Sequence, residues 1–359
     1  MIDVFFATNR DMSGGNKRPV FGTRFHKDGP RFYRVGCARM KRTESDDPDA
    51  LYALDSVTLV PEAPQGEKKE PPSSHALFAA LQAEMRKNER DVIIYLHGFA
   101  NSVESSLSRA AQLSEIYQIT NASGETYDPY IFAFLWPSNG KVQPPWHYFS
   151  DRNDAEDSGK AMARALLRLM DFLSTLEASE KDGLEKRVKC QRRLHLVAHS
   201  MGNWALRHAV QALREQLGDD GFRPIFENAF LMAADEDDDA LEPQNTDKLA
   251  LLPRLARRIH VYHSSDDLAL IVSDKTKFNR DRLGFNGPRS FTGLSTRISA
   301  IDCVNVDRTK TAHGNHQYYR LRPEVIADVK AVLSGVRPDN VPGREIIEGG
   351  YRYRLVVTK

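Results

Sequence analysis

The stretch Arg193-Leu194-His195-Leu196-Val197-Ala198-His199-Ser200-Met201-Gly202-Asn203-Trp204-Ala205-Leu206-Arg207-His208-Ala209-Val210 decides the fold. Its first five residues read as a buried strand, and Asn203 to Val210 reads as a helix. Between them, Ala198-His199-Ser200-Met201-Gly202 makes a small-X-Ser-X-Gly turn, which lifts a serine hydroxyl off a strand end as a nucleophile. Small residues belong there because the backbone crowds itself in a strained turn. The first small position, commonly glycine, is Ala198 here, which leaves the turn free of bulk. Such a pentapeptide arises by chance in many chains. Between a strand and a helix it points to a nucleophile rather than to a serine that caps a helix.

Outward from this turn the chain alternates. Apolar runs lie at Val92 to Leu96, Tyr130 to Leu135, Ala229 to Ala234, Ile259 to Tyr262 and Ile298 to Val306. Helical patterns run from His75, capped by Ser74, to about Lys87 (Leu77, Ala80, Leu81 and Met85 on one face), and from about Glu104 to Tyr117, Ser158 to Leu176 and Pro323 to Leu333. Continuous apolar strands alternating with amphipathic helices predict a doubly wound, mostly parallel sheet with helices on both faces. Asp3 to Thr8, Arg31 to Ala38 and Leu51 to Leu59 read as strands of an antiparallel N-terminal edge, with Met12 to Arg18 a polar separator and Pro61 to Ser74 a surface connection. The expectation is one domain over 1–359, elaborated at 1–74, with a lid insertion at 139–157 and a second insertion at 275–297.

The 359 residues hold 50 Lys+Arg and 49 Asp+Glu, so the whole chain lacks the basic footprint of a nucleic-acid binder. The cysteines Cys37, Cys190 and Cys303 form no C-x-x-C pair, against a disulfide framework and a thiolate zinc site. Met1 to Phe6 does not resemble a signal peptide, and no window reaches the roughly 20 apolar residues that span a bilayer. The expectation is a cytoplasmic protein without stable membrane insertion. Nothing in the sequence sets the oligomeric state.

Ligands of such sheets sit outside the carboxyl ends of the strands. After Val92 to Leu96 comes His97-Gly98-Phe99-Ala100-Asn101. After Ile259 to Tyr262 comes Ser264-Ser265-Asp266-Asp267, and after the last strand His313-Gly314-Asn315-His316. Nucleophile, acid and histidine in the order Ser, Asp, His form the α/β-hydrolase order. A serine hydroxyl needs an adjacent base, histidine supplies it, and the acid fixes the imidazole tautomer. The oxyanion donors would be the N–H groups of Met201 and Phe99, in a loop that Gly98 lets fold tightly. On the residues alone Asp267 is favoured over Asp266, Asp235 sits one strand too early, and His316 and His313 are hard to separate. His97 and His199 read as structural. Asp235 and Asp237 to Asp239 read as a solvated acidic loop without calcium-loop spacing.

These residues give the chain its likeness. It resembles bacterial α/β-hydrolases of poorly defined function labelled esterase/lipase superfamily enzymes. The shared features are Val4-Phe5-Phe6-Ala7-Thr8-Asn9-Arg10, His97-Gly98-Phe99 with Ala110 to Leu113, Trp136-Pro137-Ser138, Tyr148 with Asp151 and Ala155, Ala198 to Asn203, Ala233-Ala234-Asp235, Asp267 to Leu270, and His316-Gln317-Tyr318-Tyr319. The resemblance favours Ser200, Asp267 and His316 as the triad. It implies a serine hydrolase with no metal or organic cofactor, and leaves the substrate open. On the substrate side, Trp146, Tyr148 and Phe149 in the 139–157 insertion, with Tyr318, are candidates to line an acyl pocket, and Trp204 reads as lining or core. The expectation is cleavage of small carboxylic esters, with a thioesterase, an acyltransferase or a non-catalytic binding module on the same fold as the alternatives.

Overall fold

The computed structural model describes residues 1–15, 18–61, 73–142, 146–181, 192–270, 281–306, 314–348 and 350–357. Five strands open the chain: β1 (Ile2–Thr8), β2 (Arg10–Gly15), β3 (Arg18–Phe25), β4 (Arg34–Arg42) and β5 (Tyr52–Pro61). Then come α1 (Ser73–Asn88), β6 (Val92–Leu96), α2 (Val103–Ile116), the short pair β7 (Ile119–Thr120) and β8 (Thr126–Tyr127), β9 (Tyr130–Leu135) and α3 (Trp146–Lys181). The second half holds β10 (Leu194–His199), α4 (Gly202–Leu217), β11 (Phe226–Met232), β12 (Ala256–His263), β13 (Ile298–Asp302), a helix Pro323–Leu333, β14 (Arg344–Glu348) and β15 (Arg352–Leu355).

Eleven strands form one sheet in the order β14-β15-β13-β12-β11-β10-β6-β9-β1-β4-β5. From β1 to β15 the neighbours are parallel. The outer strands β4, β5 and β14 are antiparallel. This is the architecture of an α/β-hydrolase. The parallel strands are covered on both faces, which is why they read as unbroken apolar runs. One face packs Phe78, Leu81 and Met85 of α1, Met162 of α3 and Leu206 and Ala209 of α4 against the sheet. The other packs Leu107, Ala110 and Leu113 of α2 and Val325, Val329 and Val332 of the helix Pro323–Leu333. Each fully buried large aliphatic or aromatic side chain contributes about 1.5–3 kcal/mol. α2 starts where its chemistry dictates: Ser102 Oγ accepts from the Ser105 N–H at 3.1 Å, and Glu104 lies in the first turn.

Four readings need correction. Met12 to Gly15 is not a separator but the end of β2, which pairs antiparallel with β3 from Arg18, and its last residues are exposed and carry no apolar alternation. α3 begins at Trp146, not Ser158, because the aromatic-rich run after Pro144-Pro145 in the sequence contains no helix breaker. The last parallel run ends at Asp302 rather than Val306. Beyond it the sheet continues into β15 and β14, whose charged Arg-Glu-Ile-Ile-Glu and Arg-Tyr-Arg-Leu segments hide the strand pattern. Most of Pro61 to Ser74, residues 275–280 of the second insertion, and Cys190 lie outside the described residues.

Candidate active site

Ser200 occupies the left-handed region with φ of 54°. Its N–H donates to Met232 O at 2.9 Å, and its carbonyl accepts from the N–H groups of Asn203 and Asp235 at 3.0 and 3.2 Å. Asn203 Nδ2 also donates to Ala198 O and Ser200 O, so one side chain closes the turn on itself. Gly202 is required by close approach: a Cβ there would lie 2.5 Å from Leu96 O. Of the five described non-glycine residues with positive φ, four surround this end of the sheet, namely Ala100, Ser200, Ala233 and Asn315. Each such conformation costs on the order of 1–3 kcal/mol, and that strain clusters where function requires it.

The loop after β6 lies directly against the serine. A Cβ on Gly98 would meet Ser200 Cβ at 2.9 Å. Asn101 Nδ2 donates to the carbonyls of Gly98 and Phe99 at 2.9 Å each. His97 Nδ1 donates to Gly98 O at 2.9 Å while its ring stacks on Trp136 at 4.7 Å. Burial, then the nearby Arg10, push its pKa down to about 3, so His97 is a neutral structural ring. Among the described residues neither the Phe99 N–H nor the Met201 N–H donates a hydrogen bond.

His316 and Asp267 are brought together. His316 Nδ1 donates to Asp267 Oδ2 at 2.7 Å. The other carboxylate oxygen accepts from the Ala269 and Leu270 N–H groups at 3.1 and 3.2 Å. Asp267 is fully buried, whereas Asp266 is exposed. Burial draws the His316 pKa down, but Asp267, through its charge and hydrogen bond, and then Asp235 outweigh it and leave it above the ordinary 6.5. With Nδ1 committed to the carboxylate, Nε2 is the nitrogen available as a base. His199 anchors this histidine beside the serine turn: its Nε2 donates to His316 O at 3.1 Å, and the two rings lie 4.8 Å apart. Stacking on Tyr319 at 4.4 Å fixes the His199 ring, and burial holds it neutral. His313 lies outside the described residues.

The acidic segment after β11 is not a solvated loop. Asp235, Glu236, Asp237 and Asp238 are buried. Arg282 reaches Asp237 at 3.0 Å and Asp235 at 3.5 Å, Arg207 reaches Glu236 at 3.1 Å, Lys248 reaches Asp237 at 3.0 Å and Arg289 reaches Asp238 at 2.6 Å. Partners from distant parts of the chain, invisible to local composition, make this burial tolerable. Among the described residues no three His, Cys, Asp or Glu groups are arranged to hold a metal.

Residues 146–157 of the stretch expected to be a lid, 139–157, form the first turns of α3, and residues 143–145 lie outside the described residues. Asp151 accepts from Ser138 Oγ and from the N–H groups of Asn139 and Ala100. Tyr148 packs edge-on against Phe99 at 5.5 Å, and its hydroxyl donates to Asp235. Trp146 and Phe149 are exposed on the outer surface. Trp204 is half-buried, with the Arg152 guanidinium 3.3 Å from its ring centre and that of Arg207 at 4.7 Å. Tyr318 is a correction: it is buried in the core, and its hydroxyl donates to Tyr262 O at 2.9 Å. As the first residue of a short helix it turns inward, which its place two residues after His316 does not reveal.

A family model for alpha/beta hydrolases of unknown function (DUF900) matches residues 73–337. The chain belongs to this family. The hydrolase match contains the Gly98 loop, Ser200, Asp267 and His316, and leaves β1 to β5 outside it. No curated protein and no solved structure matches the chain. No described helix of this hydrolase is long and apolar enough to cross a membrane. The residues that brace its Gly98 loop, Arg10, Asn101, Ser138 and Asp151, carry no reactive signature in sequence. Arg10, Ser138 and Asp151 stand out in sequence only as parts of the segments that carry the family resemblance, and Asn101 only by its place after a strand end.

Proposed function

We propose that this hydrolase cleaves carboxylic esters through an acyl-enzyme intermediate on Ser200. His316 Nε2 takes the Ser200 proton as the hydroxyl attacks the ester carbonyl, and Asp267 stabilises the imidazolium. The N–H groups of Phe99 and Met201 hold the oxyanion of the tetrahedral intermediate. His316 returns the proton to the leaving alcohol, and water then releases the acid by the same route. One observation carries this reading: the 2.7 Å Asp267–His316 hydrogen bond stands beside a serine held in left-handed backbone. Phe99 and Tyr148 give the mouth an apolar wall suited to a small acyl group. Among the described residues Cys37 and Cys303 form no disulfide, which suits a reducing, cytoplasmic compartment.

The test is labelling of wild type and Ser200→Ala with a fluorophosphonate, read by intact mass. One adduct on the wild type and none on the variant is the expected result. A folded wild type that takes up no probe, yet binds esters, would favour a binding module on the same fold.

A further inference from the structure

The loop that carries Phe99 is braced by a residue from outside the family-matched segment. Arg10, at the start of β2, is 1% exposed. Its Nη1 donates to Ser138 O at 3.0 Å and Gly22 O at 3.2 Å, and its Nη2 donates to Asn101 O at 3.0 Å. Among the described residues no carboxylate lies within ion-pairing distance of it, and burial pulls its pKa down to about 10. Asp151, then Glu104, Asp11 and Asp154, favour the charge from beyond ion-pairing distance, but burial outweighs them. A buried cation whose hydrogen bonds go to carbonyls is costly, and a neutral side chain would fill the same space more cheaply. What the guanidinium adds is a rigid fork that joins several backbone segments at once, which an ammonium does not provide.

The segments it joins are those of the site. Asn101 is tied to Ser138 a second time, its N–H donating to Ser138 Oγ at 3.0 Å. Asp151 works from the other sign, accepting from the N–H groups of Ala100 and Asn139. Held there, Asn101 Nδ2 grips Gly98 O at 2.9 Å. In a trans peptide the carbonyl and the following N–H point in opposite directions. Fixing Gly98 O toward Asn101 therefore turns the Phe99 N–H away from Asn101. Gly98 itself packs on Ser200, with 2.9 Å between its would-be Cβ and Ser200 Cβ.

We infer that Arg10 is a positioning residue for the oxyanion hole, acting through Asn101 on the Gly98–Phe99 peptide. The inference rests on the ester-hydrolase reading above. It also gives the N-terminal strands a role in the chemistry, since β1 and β2 deliver Arg10 to the mouth of the site.

The experiment compares wild type, Arg10→Lys, Arg10→Gln, Asn101→Ala and the Arg10→Lys/Asn101→Ala double variant of the full chain. Each is assayed on p-nitrophenyl butyrate, with thermal melts as the fold control. Loosening the donor lowers kcat by about 10–100-fold in each single variant, with KM changed less than about threefold. Because both residues act on one peptide, the double variant loses no more than the worse single. Arg10→Lys keeps the buried charge and decides the matter. Unchanged kcat in that folded variant overturns the inference, as does a loss confined to KM, or losses that multiply in the double variant. Failure of both Arg10 variants to fold would make Arg10 a residue of the fold alone, and would also overturn it. A wild type whose Ser200 takes no fluorophosphonate would instead sink the ester-hydrolase reading, so the two failures are distinguishable.

Discussion

Two Asp–His pairs lie at opposite ends of the same parallel strands. At the carboxyl ends, His316 Nδ1 meets Asp267 at 2.7 Å, and the second carboxylate oxygen is held by two backbone N–H groups. At the amino ends, His195 Nε2 stands 3.5 Å from Asp91, and the contact continues as a chain across the sheet. Asn228 Nδ2 donates to His195 Nδ1 at 3.0 Å, and His260 Nε2 donates to Asn228 Oδ1 at 3.2 Å. His195, Asn228 and His260 are all buried to 1% exposure or less. The first pair borders a strained serine and the Phe99 and Met201 N–H groups, which donate to nothing among the described residues. The second borders other side chains that satisfy it. An acid–imidazole pair is therefore not what defines the candidate site. Strain and unspent donors at one end of the sheet do, while the other end uses the same residue types to satisfy buried strands.

The comparison breaks most completely at the serine. Ser200→Ala should remove ester turnover with no change in melting temperature, and residual turnover above about 1% would place the nucleophile elsewhere. Asp267→Asn should cost about 10⁴-fold in kcat if the loss known for trypsin-type triads transfers. Asp91→Asn, at the far end, should leave kcat of the folded enzyme within about twofold. Asp91→Ala should act on stability instead, by about 3 kcal/mol in a denaturant titration, because it leaves buried partners unmatched. A loss of kcat without a loss of stability there would abolish the distinction between the two ends.

The pH profile sharpens it further. His316 carries a raised pKa in the folded chain, and only its neutral form is a base. Ester kcat/KM should therefore fall as pH drops through a midpoint above 6.5, and Asp267→Asn should move that midpoint down. Asp91 is the opposite case: burial raises its pKa, but His195 and the Arg193 N–H outweigh that and leave it depressed. Its contribution to stability is present above the unfolded carboxyl pKa of about 3.9 and lost as pH falls through the lower folded value. Melting temperature at acidic pH, not activity, is where it should register. The smallest effect is expected at Asp266, exposed beside Asp267, where Asp266→Asn should change kcat by less than about threefold.

Much of the proposed site was readable because its chemistry is local. The serine turn, the Gly98 loop and the segments around Asp267 and His316 each follow an apolar strand, and strand ends can be found from hydropathy alone. Asp267 against Asp266 was a choice within one loop that burial explains. Tyr318 was misread because one residue of helical phase decides whether a side chain faces the cleft or the core. The acidic cluster was misread because its cations, Arg207, Lys248, Arg282 and Arg289, come from other segments. The Asp91–His195–Asn228–His260 chain escaped notice for the same reason: its members are far apart in sequence, and only strand register aligns them, as in His195 opposite Asn228.

The sequence by itself determined the α/β-hydrolase fold, the strand-to-helix turn at Ser200 and the chain order of Ser200, Asp267 and His316, since all three depend on period, turn chemistry and chain order. The tertiary structure alone decided which buried charges find partners, which way Tyr318 turns, and how Arg10 of the N-terminal strands reaches the loop at Phe99. Those outcomes depend on distances between segments tens to hundreds of residues apart, and no local pattern encodes a distance.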